Sequence, residues 1–296
     1  MDEQDSQAPG RWRFDMWSLP EHFRKLNQRY HGADGDRFAA EELSPVARRF
    51  LTEGDRVLEV GCGYGRNLVA LAGLPARSVV GCDVSADELR AARERTATLP
   101  DAARHRLSLV RQEHYRLPFK DGTFDLVILW QVLEHVFGEA EKRRVLAECV
   151  RVLRGGACLL IETPNQWFPV DYHDNKFPFA HWFFPRALRM EITARVRGQR
   201  YEPSQYMSLP GYERLLRTIP GVRAVRRATR FYFARSFSEA WHSVGGTQVA
   251  LKRVIFLAVL PFHGMLSLFG SSGDVLLPSV RMVWRIDKHP DEPKGL

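Results

Sequence analysis

The stretch RVLEVGCGYGRNLVALAGL at residues 56–74 decides how the rest of the chain reads. RVLEV is an apolar run of strand length that stops at a glycine, and NLVALAGL then carries its apolar residues at helical spacing. SVVGCD, at 78–83, is a second short apolar run. Strand, glycine loop, helix, strand is the order of a βαβ unit, in which two parallel strands are joined by a helical crossover.

Working outward, Ser85-Ala86-Asp87-Glu88 has the form of a capping box: the serine hydroxyl caps the free amides of a first turn and Glu88 reaches back to the cap. A helix therefore begins right after Asp83. RLSLVRQ, FDLVILW and ACLLIET supply three more buried-strand candidates, with EAEKRRVLAECVRVL as an amphipathic helix between the last two. This alternation predicts a doubly wound, mostly parallel sheet. Beyond Thr163 the rhythm breaks in TPNQWFPVDYHDNKFPFAHWFFP, a loop too long to be a plain connector. LPGYERLLRTIPG then reads as a short helix, and VRAVRRATRFYF and SVRMVWRID as two closing strands, which brings the sheet to seven.

Residues 1–50 hold scattered aromatic and charged positions, broken by the turn-forming run HGADGD at 31–36, and are expected to be a helical preface or lid. The division expected is this preface, a ligand-binding core at 51–165, an aromatic-rich substrate loop at 166–210, and a C-terminal part at 211–296. That last part holds an apolar helical insertion at about 249–270. Its centre, VIFLAVLPFHGMLSLFG at 254–270, has no Lys, Arg, Asp or Glu but is short for a bilayer span and interrupted by Pro261, His263 and Gly264. A buried or interfacial helix pair is the expectation.

The 296 residues are 45% hydrophobic and 26% charged, the balance of a globular protein with a sizeable core. The start lacks the apolar region of a secretory signal, so a cytoplasmic location is expected. Cys62, Cys82, Cys149 and Cys158 lack paired spacing and read as reduced core residues. The net charge is +8, and between Arg186 and Arg235 twelve arginines stand against three glutamates. That stripe would draw phosphates, nucleic acid or an anionic membrane surface, or serve as a solvated face.

The glycine loop carries the chemistry. A dinucleotide fingerprint starting at Gly61 needs glycine at 66, but that residue is Arg66, and the third glycine comes early, at Gly65. Glu59 at the strand end would repel a diphosphate and suits a ligand bearing an ammonium group. The second strand ends at Asp83, where an acceptor would meet a ribose diol.

Taken together, VLEVGCGYGRNLVALA, GCDVS, RLPFKDGTFDLVILWQVLEHV and LRGGACLLIETPN resemble the successive motifs of class I S-adenosylmethionine-dependent methyltransferases, closest to the branch containing the quinone-biosynthesis enzymes. The resemblance covers residues 54–165 well, the later helix and strands loosely, and the first fifty residues hardly at all. It implies a Rossmann-like fold with an N-terminal helical segment and insertions after the fifth and sixth strands, and S-adenosyl-L-methionine as cofactor. It implies that Gly61, Cys62, Gly63 and Gly65 let the backbone approach the methionine moiety, with Glu59 near its ammonium end. Asp83 would accept from the ribose, Val84 would pack on adenine, and Glu113, followed by His114, would meet the adenine amino group.

Trp130 and Gln131 follow the fourth strand, at the mouth where ligands enter open α/β sheets, and are expected to border the cofactor's methionine end or the substrate. Methyl transfer from a sulfonium requires mainly alignment and exclusion of water. For a hydroxyl acceptor, His135 is the best placed base, with His173 and His181 next. Asp171, Tyr172, His173, Asp174 and His181 hold metal-capable atoms without a metal-site spacing, so no metal is expected. Tyr172, His181, Trp182 and the neighbouring aromatics would line the acceptor pocket or form the loop's own small core.

The sequence therefore points to methylation of a small-molecule or lipid-linked acceptor, at oxygen; the alternatives are a nucleic-acid-modifying methyltransferase and a non-catalytic partner keeping the fold. No separate RNA-binding module is visible, which argues against nucleic acid. The apolar segment beside the arginine-rich stretch suggests an amphiphilic acceptor met at the inner face of the membrane.

Overall fold

The computed structural model describes residues 33–113, 115–168, 171, 179–197, 203–228, 254, 257, 261 and 279–289. Along them run α1 (Ala33–Glu42), α2 (Ser44–Ala47), β1 (Arg56–Val60), α3 (Arg66–Ala72), β2 (Ser78–Asp83), α4 (Ala86–Thr96) and α5 (Asp101–Arg104). They continue with β3 (Leu107–Arg111), β4 (Phe124–Trp130), α6 (Glu139–Val152), β5 (Leu153–Pro164), α7 (Ala180–Phe183), α8 (Arg186–Arg197), α9 (Leu209–Arg217), β6 (Val222–Arg227) and β7 (Ser279–Lys288). A 3-10 turn, Leu133–His135, follows β4.

The seven strands make one sheet in the order β3-β2-β1-β4-β5-β7-β6. The first five are parallel to one another, and β7 runs antiparallel between β5 and β6. The chain winds outward from β1 to β3 and then returns to lay β4 on the other side of β1. The crevice between the C-terminal ends of β1 and β4 is thus the topological switch point, where ligands enter sheets of this kind.

The central strands are apolar on both faces because helices cover both. Leu58, Val60, Val127, Leu129, Leu159 and Ile161 face α6 and α9, while Val57, Leu126, Ile128, Cys158 and Leu160 face α2 and α3. All four cysteines are free and buried. RLSLVRQ departs from its reading as a buried strand: β3 has only β2 as a neighbour and is nowhere fully buried.

At the N-terminal side the helix α1 starts at Ala33, inside the run HGADGD that reads as a turn. Asp36 in its first turn pairs with Arg95 of α4 at 2.9 Å, and Leu43 at its end is wholly buried. Tertiary contacts override the local preference of Gly and Asp for turns. The remainder of the expected preface, residues 1–32, lies outside the described residues, as do most of the apolar stretch 254–270 and the second half of VRAVRRATRFYF. Among the described residues no helix is long and apolar enough to cross a membrane.

Candidate cofactor and acceptor site

The turn after β1 is held from two sides. The amides of Gly61 and Cys62 both donate to the carbonyl of Cys82 in β2, at 2.8 and 3.0 Å. The Gly63 amide donates to Asp83 Oδ2 at 2.9 Å. Gly61 sits at φ 71°, and a Cβ there would lie 2.6 Å from Val132 Cγ2, so only glycine lets the turn after β4 close on the loop. Gly63 and Gly65 also have positive φ, 48° and 76°. Cys62 contributes its backbone to this turn, while its side chain is buried in the core on the α3 side.

Asp83 Oδ1 accepts from the Ser85 amide at 2.9 Å, and Ser85 Oγ accepts from the Glu88 amide at 3.2 Å. The serine cap forms as expected, but Asp83, not Glu88, takes the cap's own amide. Glu88 leans instead toward the loop, its Oε2 3.2 Å from where a Cβ on Gly63 would be. Each Asp83 oxygen keeps a second lone pair for a ligand hydroxyl.

Glu59 is 1% exposed at the end of β1. Its Oε1 accepts from Asn67 Nδ2 at 2.6 Å, and its Oε2 is buried with no hydrogen-bond partner. Burial pushes its carboxyl up to about 8, against the pull of Asn67 and Arg66 and with a further push from Asp83. Burial, then Asp83, raises Glu88 to about 7. Three acidic groups thus surround a loop of low dielectric, an arrangement that a cation relieves. The orphaned Glu59 oxygen fits the ammonium of an amino-acid-like cofactor.

At the tip of β2, Val84 is 51% exposed, a face that an adenine could cover. Glu113 is exposed just past β3, its carbonyl accepting from the Arg116 amide at 3.2 Å, and His114 lies outside the described residues. At the tip of β4, Trp130 is 4% exposed and its indole N–H is buried without a hydrogen-bond partner. Gln131 takes a left-handed φ of 57°, its amide donating to the Glu162 carbonyl at 2.8 Å. A non-glycine residue in that conformation is strained, and such strain gathers at ligand sites.

His135 is exposed at the end of the 3-10 turn. Below it a buried polar group fixes the turn. Lys142 Nζ donates to the Leu133 and Val136 carbonyls, and Thr163 Oγ1 donates to Glu134 Oε2 at 3.0 Å. Burial lowers the Lys142 ammonium to about 8, opposed by Glu134.

Just past β5, Asn165 forms an isolated bridge with Met207. Asp171, 1% exposed, accepts from Tyr206 Oη at 2.6 Å and has Arg189 at 4.0 Å. The His181 ring packs edge-on against Tyr206, with centroids 5.4 Å apart, and its Nε2 lies 3.0 Å from the Gln166 carbonyl. Since a carbonyl only accepts, that nitrogen carries the proton. Trp182 Nε1 donates to the same carbonyl at 2.5 Å. Tyr172 and His173 lie outside the described residues. Among the described residues no group of three His, Cys, Asp or Glu gathers as a metal site would require.

The sequence reading passes over Asn67, Tyr206 and Arg281, and takes Glu88 only as half of a capping box. Asn67 was legible as the one polar residue on the buried face of an apolar helix, whereas Arg281 alternates with the buried Val280, Met282 and Trp284 and reads as solvent-facing. Tyr206 carries no local signal.

A family model described as a methyltransferase domain matches residues 57–156. A probable S-adenosylmethionine-dependent methyltransferase of Mycobacterium tuberculosis is 35% identical over 112 residues, 37% of this chain and 36% of that protein. The chain thus spans little over a third of that relative's length. A demethylmenaquinone methyltransferase of Symbiobacterium thermophilum is 30% identical over 192 residues, 62% of this chain and 72% of that protein. Among solved structures, a Haloferax volcanii protein in complex with the Trm112 methyltransferase activator superposes with a TM-score of 0.51 at 17% identity, covering 91% of this chain and 98% of that one. That last likeness speaks for the fold alone.

Proposed function

Because the chain belongs to the class I S-adenosylmethionine-dependent methyltransferases, whose cofactor is S-adenosyl-L-methionine, we propose that it methylates a small-molecule or lipid-linked acceptor, at oxygen. The observation that carries this reading is Glu59: a carboxylate buried at the end of β1 with one oxygen unpartnered, beside a loop tied to Asp83. In this reading residues 51–165 form the cofactor core, 1–50 a lid, 166–210 the acceptor loop and 211–296 the remainder.

When bound, the cofactor supplies an activated methyl group on a positive sulfur. The protein's part is then to bind and align. Glu59 holds the ammonium, the Gly61, Gly63 and Gly65 backbone admits the methionine moiety, Asp83 receives the ribose hydroxyls, and Val84 and Glu113 border the adenine. Trp130 and Gln131 close the methionine end. His135, exposed beyond β4, takes the proton that the acceptor hydroxyl gives up as its oxygen gains the methyl. His181 and Trp182 border the acceptor, with Tyr172 and His173 in the same loop.

Calorimetry with S-adenosylmethionine on the wild type and on Asp83→Ala tests the cofactor half: equally weak heats for both would refute it. Transfer of tritium from methyl-labelled cofactor into a lipid extract, compared with a polar extract, tests the acceptor. A lipid-linked acceptor predicts label in the first. An acceptor of that kind is met at a membrane surface, where a cationic chain and an exposed apolar face would hold the enzyme.

A further inference from the structure

The stretch Trp182–Leu188, WFFPRAL, crosses from α7 into α8, and every residue in it except Phe184 is exposed. Phe183 is 73% exposed, Phe179 46% and Trp182 42%, and Leu188 is 45% exposed. Trp167 adds a face that is 57% exposed. The rings brace one another: Phe179 and Trp182 lie 5.4 Å apart by their centroids, and Phe183 lies 6.2 Å from each. Phe179 adopts a left-handed φ of 61° at the head of α7. Soluble monomers seldom expose contiguous apolar surface of this kind without a use for it.

What this surface meets is indicated by its neighbours. The helix α8, RALRMEITARVR, holds four arginines and one glutamate and begins at the exposed Arg186, directly behind the aromatic tip. An aromatic tip backed by cations is suited to a bilayer interface: rings settle at headgroup level, and guanidinium groups meet lipid phosphates. Val254, Leu257 and Pro261, in the apolar stretch at 254–270, are each helical and exposed. Val254 is 62% and Leu257 48% exposed, so apolar side chains are turned to solvent here too.

We propose that Phe179, Trp182 and Phe183, backed by Arg186, form a docking surface for an anionic phospholipid bilayer. This deepens the methyltransferase reading and rests on it for its purpose. His181 and Trp182 are bonded to the Gln166 carbonyl, two residues past the C-terminal end of β5, so a bilayer docked on this surface presents a lipid-linked acceptor close to the end of the sheet where the cofactor binds.

The test is flotation of the full chain with vesicles of phosphatidylcholine alone and of phosphatidylcholine mixed equally with phosphatidylglycerol. The wild type is expected to float with the mixed vesicles, less with phosphatidylcholine alone, and less as salt rises. A Trp182→Ser, Phe183→Ser double variant should lose about tenfold or more in vesicle affinity, and Arg186→Gln should lose mainly the preference for phosphatidylglycerol. Phe183 and Arg186 face solvent, whereas Trp182 also donates to the Gln166 carbonyl, so Phe183→Ser alone is the control: its circular dichroism should be unchanged and its vesicle affinity still reduced. Absence of wild-type flotation at low salt, or undiminished flotation of the double variant, overturns the proposal. So does self-association that the double variant abolishes in the absence of any vesicle binding, which would mark the surface as an interface between copies. Cofactor calorimetry on the same variants separates the two readings: flotation with no cofactor binding leaves the docking surface standing and removes the methyltransferase reading.

Discussion

The guanidinium carbon of Arg281 lies 4.9 Å from the centroid of the Trp130 ring. From that position Arg281 pairs with Glu42 at the end of α1 and stands 4.0 Å from Glu162 of β5. Its side chain is only 9% exposed and that of Glu162 4%. One residue of β7 therefore ties α1 to the tips of β4 and β5, next to the switch point. Arg281→Met removes the guanidinium that pairs with Glu42, packs on Trp130 and stands beside the buried Glu162, and should cost about 3–5 kcal/mol in denaturant unfolding. Arg281→Lys should recover part of this, since an ammonium replaces the charge but not the planar stacking. Amides of 33–42 should exchange faster in the Met variant; unaltered exchange there would show that Arg281 does not secure α1.

Glu59 makes cofactor binding depend on pH. Its pKa is raised from 4.5 to about 8 by burial. A group raised in this way contributes stability that is complete below 4.5 and lost as pH rises through 8, because the folded state must then hold a buried charge. Thermal stability of the protein without cofactor should accordingly decline across that window, and Glu59→Gln should flatten the decline. An ammonium ligand wants the ionised form, so binding below pH 8 should expel a proton. Calorimetric heats for S-adenosylmethionine should differ between buffers of different ionisation enthalpy in the wild type and agree in Glu59→Gln.

Gly61 offers a separate test of the loop. A methyl group there would come within 2.6 Å of Val132 Cγ2, and its φ is 71°. Gly61→Ala should lose about 1–3 kcal/mol and weaken cofactor binding. Adding Val132→Ala removes the clash but not the dihedral strain, so the double variant should recover only part of the loss. Full recovery would mean that sterics alone demand the glycine.

The strands, the glycine loop and the serine cap were legible because their signals are local: apolar runs, φ-permissive glycines and a hydroxyl three residues before the amide it caps. Asp83 could be placed at the tip of β2 by counting along the chain. Its tie to the Gly63 amide could not, since that bond depends on how two strand ends meet. The same holds for Glu88, whose spacing from Ser85 fits a capping box, yet whose carboxylate is displaced from the cap by Asp83. Arg281 and Trp130 are separated by about half of the sequence, and the strand order β4-β5-β7 brings them together. The acceptor loop was least legible because its contacts, such as Tyr206 on Asp171, join segments 35 residues apart with no periodicity to relate them.

That tyrosine supplies the last test. Tyr206 Oη donates to Asp171 Oδ1 at 2.6 Å, and Asp171 is 1% exposed, so its carboxylate has little water to fall back on. Tyr206→Phe keeps the ring that packs on His181 and removes only the donor, leaving Arg189 at 4.0 Å as the nearby cation. Stability should fall by about 1.5–3 kcal/mol, the contribution of one hydrogen bond to a charged group. Asp171→Asn should abolish most of that difference in a double-mutant cycle, since a neutral amide leaves less to satisfy. Because the pair stands on the segment after β5, away from the glycine loop, cofactor affinity should be unchanged in Tyr206→Phe while KM for the acceptor rises. A loss of cofactor affinity instead would mean that the two halves of the site are coupled through the sheet edge.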